Sequence, residues 1–151
     1  MKNKKKEIVE LEIPSRTIRI KHAMCESGHS LMDEDHPIDG NPSIGVLAKY
    51  KDQEGLIYLD PVYGSFKNIW EIDVPEGECV ELFCPHCHKS LSEPGQICDE
   101  CLAPMFSVYL PHGGVVSACL RNGCHYHTLR FTDSEELSKK LLEEHYFDDM
   151  F

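Results

Sequence analysis

Several features are scarce or missing in this chain, and each absence narrows its chemistry. No apolar run approaches the roughly 18 residues that span a bilayer. The basic start "MKNKKK" leads into "EIVELEIPS", which Glu7, Glu10 and Glu12 interrupt, so it lacks the apolar stretch of a secretory signal. No Asn-X-Ser/Thr acceptor occurs, because Pro42 fills the excluded position of "NPS". Together these absences lead us to expect a cytoplasmic chain with no membrane attachment, in a compartment where thiols stay reduced.

Basic side chains are also few. The 151 residues hold 15 Lys and Arg against 26 Asp and Glu, a net charge of −11. With the Lys-rich residues 1 to 6 set aside, the remainder carries 11 basic and 26 acidic groups, or −15. A field of that sign opposes phosphate backbones, so nucleic acid is disfavoured as a partner, Lys2 to Lys6 being the one stretch suited to such contact. Phosphate-cradling glycine loops, a GxSxG elbow and an HExxH helix are all absent. The order CPHC, with no HxE before it, also fails the zinc-deaminase pattern.

What the chain does have is sulfur. Eight Cys in a reducing compartment point to metal before disulfides. In "CPHCHKSLSEPGQICDEC", Cys84, Cys87, Cys98 and Cys101 form two CxxC pairs separated by ten residues. Two thiolates on one tight turn can face a single ion, and two such turns supply the four sulfurs of tetrahedral zinc, or of iron. Thioredoxin-like redox use would call for a single CxxC at a helix N-terminus, whereas both pairs here sit in turns between strands. The stretch resembles the zinc ribbon family, whose rubredoxin-type knuckles read CPxC followed by Gly. The likeness covers about residues 80–110 and departs at His88 and Leu102, where Gly is usual. It implies an embedded zinc-ribbon module and docking onto protein or nucleic-acid assemblies.

Two further fragments look like halves of knuckles. "MCESGHSLM" contains Cys25 and His29, and its "HSL" echoes the "KSL" of residues 89–91. "ACLRNGCHYHTL" contains Cys119 and Cys124, with His125 and His127 beside them. The reading is a first zinc site from Cys84, Cys87, Cys98 and Cys101, and a second from Cys25, His29, Cys119 and Cys124 that ties the early strands to a late hairpin. Cys79 is read as a small buried residue. The carboxylates of "MDEDHPID" (32–39) are read as a solvated acidic loop, since they lack the placement of an EF-hand.

For the fold, we expect one domain over residues 1–151, mainly β with short antiparallel strands and hairpins, the zinc ribbon at 80–110, and one C-terminal α-helix. Alternating patterns predict strands at 8–13 and 17–21, a hairpin around "KDQEG", strands flanking the "PEGE" turn, and a hairpin closed by "PHGG" with Gly113 and Gly114 in positive φ. Residues 22–42 read as loop. The helix, over 132–147, rests on the Thr132/Glu135 capping box and an apolar face of Leu137, Leu141, Leu142, His145 and Tyr146, which suits packing on the sheet or a homodimer contact. The aromatic stretch "YLDPVYGSFKNIW" (58–70) serves either core or partner.

The functional expectation is a structural-zinc protein acting as a protein-interaction or adaptor module, with one or two ions and no catalysis. A zinc-dependent hydrolase is the alternative, with an open site of Cys119, Cys124, His125 and His127, because HxH places two imidazoles on one face of a strand. A nucleic-acid-associated zinc ribbon is the third reading.

Overall fold

A computed structural model describes residues 18–131. Two antiparallel sheets make up the regular structure. The first contains β1 (Met32–Ile38), β2 (Asn41–Tyr50), β3 (Gln53–Leu59) and β4 (Ile69–Trp70) in that spatial order, with β5 (Glu81–Phe83) also paired to β2. The second runs β6 (Ser92–Ile97), β7 (Pro104–Tyr109), β8 (Gly114–Cys119) and β9 (His127–Phe131).

The mainly β class therefore stands, and the helical part of the expected fold is corrected: the described residues contain no α-helix. The helix read at 132–147, like the strand read at 8–13, lies outside the described residues. No helix among the described residues is long and apolar enough to cross a membrane. Of the strand read at 17–21, only Arg19 forms a bridge, with Val62.

The segment read as loop over 22–42 contains β1. Ile38 pairs with Asn41 across Asp39 and Gly40, both at positive φ (53° and 83°). That is the backbone of a two-residue hairpin turn, for which Asp-Gly is a favoured pair. The acidic run "MDEDHP" escaped a strand reading because β1 is an edge with four successive exposed residues, so no apolar alternation marks it. The β7–β8 hairpin forms as expected, but its positive φ values fall on His112 and Gly113, not on Gly114.

The core lies between the sheets. Ile44, Val46 and Ala48 recur with period two on β2 and are buried, meeting Ile57 of β3. Phe106 and Val108 of β7 join the same apolar cluster from the other sheet. On the second sheet, buried Ser107 and Ser117 share a 2.7 Å hydrogen bond, Ser107 donates to Glu93, and Arg130 donates to Ser117 at 3.0 Å. One polar ladder thus crosses four strands with its groups satisfied.

The loop between β3 and β4 is organised by Asp60, only 9% exposed. Its carboxylate accepts from Val62 N (3.0 Å), Ser65 Oγ (2.6 Å) and Lys67 N (3.1 Å). Burial pushes the carboxyl up, yet the bonds from Ser65, Val62 and Lys67 outweigh it and hold the group below its ordinary value. A depressed carboxyl stabilises the fold above its unfolded-state value, and that contribution is lost as pH falls through the folded value. Asp60→Asn should cost about 1–3 kcal/mol near neutrality, the scale of hydrogen bonds to a charged group. In urea melts repeated at falling pH, the gap between variant and parent should close below about pH 4.

Candidate metal centres

The geometry of β2 brings the first centre together. Along one edge of this strand, Ile44 faces Met32 at the start of β1, and Leu47 faces Phe83 at the end of β5. The turn before β1 and the turn after β5 consequently stand side by side. The first carries Cys25 and His29, the second Cys84 and Cys87, and their ligand atoms all lie within 4.8 Å of one another. Cys25 Sγ is 3.3 Å from His29 Nδ1 and 3.9 Å from Cys87 Sγ.

The HSL/KSL echo has a structural basis here. Ser30 and Ser90 each accept from the amide two residues on, Met32 N at 3.3 Å and Ser92 N at 3.1 Å. Leu31 N donates to Ala23 O (2.8 Å) and Leu91 N to Leu82 O (2.9 Å), and both leucines are buried. Each thus forms a plug of the same kind behind its own metal-facing turn.

The second centre is built at one end of the other sheet. Cys98 and Cys101 occupy the β6–β7 turn, Cys119 ends β8, Cys124 lies in the β8–β9 connection, and their sulfurs again lie within 4.8 Å. Cys98 Sγ is 3.8 Å from Cys124 Sγ, and Cys101 Sγ is 3.4 Å from Cys119 Sγ.

All eight residues singled out from sequence fall in these two groups, but the partners are exchanged. The structure does not bring Cys84 and Cys87 together with Cys98 and Cys101, nor Cys25 and His29 with Cys119 and Cys124. The physical reason is β6. Most of the connection between the two CxxC turns is this bulged six-residue strand, which pairs with β7 and carries the second turn into the other sheet, while the first turn stays against the edge of β2. "SEPGQI" reads poorly as a strand because Pro94, Gly95 and exposed polar residues leave little alternation.

The four turns share one local device. His86 N donates to Cys84 Sγ (3.3 Å), Glu100 N to Cys98 Sγ (3.3 Å), Arg121 N to Cys119 Sγ (3.4 Å) and His29 N to Cys25 Sγ (3.4 Å). Amides aimed at sulfur favour thiolate over thiol. After each CxxC, His88 (φ 63°) and Leu102 (φ 66°) adopt the left-handed conformation, which explains why Gly is usual there. These turns still close without Gly, with His88 N bonded to Cys84 O and Leu102 N to Cys98 O.

The electrostatics are uneven among the sulfurs. Burial pushes the Cys25 thiol up, but hydrogen bonds from the backbone and ring of His29 overcome this and bring it down to about 6. The Arg121 guanidinium does the same for Cys101, donating from Nε at 3.2 Å and lowering it to about 6. Cys84 and Cys119 are pushed up, burial being the largest cause at both.

Tetrahedral zinc with Zn–S bonds of about 2.3 Å requires sulfurs roughly 3.8 Å apart. The separations of 3.4–3.9 Å fit that requirement and are far beyond the roughly 2.05 Å of a disulfide. Both groups can hold a metal ion, an arrangement compatible with a zinc ribbon.

Other candidates fall elsewhere. His125 and His127 join neither group; His125 stacks on Phe66 at 4.3 Å, and His127 Nδ1 lies 2.7 Å from the carbonyl of His125. Cys79, read as buried, is exposed. No family model, curated protein or solved structure matches the chain.

Proposed function

We propose that the chain is a structural-zinc protein with two closed centres, Cys25/His29/Cys84/Cys87 and Cys98/Cys101/Cys119/Cys124, and that it works as a protein-interaction module. The observation carrying this reading is the pair of four-ligand groups, each with amides aimed at sulfur. A bound divalent ion would cross-link segments far apart in sequence and add its binding free energy to folding. Three thiolates and one imidazole around Zn²⁺ leave −1. Four thiolates leave −2, which Arg121 partly offsets.

Closed tetrahedra leave no position for water, so the reading favours binding over hydrolysis. The partner-facing surface is assigned to the second centre, where Leu102 is 77% and Ile97 56% exposed around the metal-facing turn. An acidic chain presenting such an apolar tip suits a protein surface with basic surroundings.

Metal analysis of the purified chain should find two zinc ions, and X-ray absorption should fit only sulfur and nitrogen neighbours. An oxygen neighbour, or one ion per chain, would refute two closed centres. A red protein would replace zinc with iron in the same ligand sets.

A further inference from the structure

Between the two sheets lies a cavity of about 210 Å³, bordered at one side by Cys119 and Cys124 of the second metal centre. Its apolar walls include Ile57 and Leu59 of β3, Trp70 of β4, Phe106 of β7 and Val116 of β8. The cavity opens to solvent at its mouth, so a guest can reach the apolar walls by displacing water. An engineered apolar cavity of about 150 Å³ accepts benzene. The larger volume here suits two fused rings.

The mouth is aromatic. Phe66 stacks on His125 with ring centroids 4.3 Å apart, and His127 meets Tyr63 edge-on at 4.6 Å and Phe66 at 5.2 Å. These side chains come from the loop held by Asp60 and from the start of β9, so the rim is fixed by hydrogen bonding.

Charge at the rim is already committed. The Asp60 carboxylate is bonded to Val62, Ser65 and Lys67, and Arg121 is bonded to Gly77 O (2.8 Å) and Cys101 Sγ. An ionic guest would therefore be buried without a partner, at high cost. His127 offers a different handle. Its Nδ1 faces a carbonyl, which can only accept, so Nδ1 carries the proton and Nε2 is the acceptor of the neutral ring.

From these observations we infer that the inter-sheet cavity is a binding site for an uncharged, flat, two-ring aromatic compound bearing one hydroxyl or N–H donor. The rings fill the space between Trp70 and Val116, and the donor bonds to His127. The site rests on the metal reading only for one wall, where Cys119 and Cys124 border it; its recognition groups Trp70, Val116 and His127 are not candidate ligands.

The test uses the full metal-loaded chain with 2-naphthol, naphthalene and 2-naphthoate as probes. Trp70 is the only tryptophan, so its indole N–H resonance is a single reporter inside the cavity. 2-Naphthol should shift that resonance saturably with one-to-one stoichiometry, and 2-naphthoate should bind about tenfold more weakly or not at all. Val116→Phe, which occupies the space, should lower the affinity about tenfold or more. His127→Phe keeps a ring at the mouth and removes the acceptor; it should weaken 2-naphthol about tenfold and leave naphthalene unchanged. An unmoved Trp70 resonance at saturating 2-naphthol overturns the proposal. So does equal affinity for 2-naphthoate, or a His127→Phe variant that binds 2-naphthol as the parent does.

Discussion

Cys25→Ser and Cys87→Ser should each remove the same zinc ion, and Cys98→Ser and Cys124→Ser should each remove the other. Apparent binding free energies of structural zinc run to about 10–16 kcal/mol in small peptides, comparable with or above the total stability of an ordinary domain. Losing one ligand should therefore melt the segments joined at that centre well below the parent's transition, while the second ion stays bound. Cobalt substitution reads out which ion has gone, since a centre with three sulfurs and one nitrogen absorbs differently from one with four sulfurs. The experiment separates two pairings of the same eight residues. If Cys84 and Cys87 shared an ion with Cys98 and Cys101, Cys98→Ser would empty the centre that Cys87→Ser empties. The β5–β2 pairing, which holds the Cys84/Cys87 turn beside the Cys25/His29 turn, makes that outcome incompatible with the fold.

Leu31→Ala and Leu91→Ala should each cost about 2–5 kcal/mol, the range for deleting a buried leucine side chain. Both residues lie behind metal-facing turns, 2% and 5% exposed, with their amides bonded to Ala23 O and Leu82 O. Leu31 touches the core at the point where β1 meets β2, so its loss should also loosen the turn carrying Cys25 and His29. Urea unfolding of the metal-loaded variants measures the effect. Ile69→Ala is the control: its side chain is 49% exposed, and it should change stability by about 0.5 kcal/mol at most. A loss at Leu31 no greater than at Ile69 would show that the turn stands without its plug.

The candidate ligands were legible because metal-ligating residues leave short-range marks in a sequence. Two thiols spaced by two residues, or a Cys followed by Gly and then a ligand, are visible within six positions. The HSL/KSL echo marked two turns with the same backbone bonding. Which turn meets which was not legible, because that depends on distances set by other strands. β6 keeps the two CxxC turns apart, and the edge of β2 brings two unrelated turns together.

The strands rich in β-prone apolar residues, β2, β3, β7 and β8, stood out for the same short-range reason. β1 and β6 are edge strands with mostly exposed side chains, and their sequences carry turn residues and charge in place of a pattern. The Asp39-Gly40 pair was the available signal for the first of them. The 58–70 aromatics do not share one environment. Tyr58 is buried, whereas Phe66 stands 36% exposed at the cavity mouth.

With zinc bound as proposed, the pairing of turns also fixes the order in which the two centres are completed along the chain. The first centre is complete once Cys87 has emerged, and the second draws only on residues from Cys98 onward. The two ion-closed loops follow one another along the chain and neither encloses the other. All four residues of the first group thus precede every residue of the second along the chain. When zinc runs short, the chain has a half-loaded form in which one sheet keeps its clasp and the other waits.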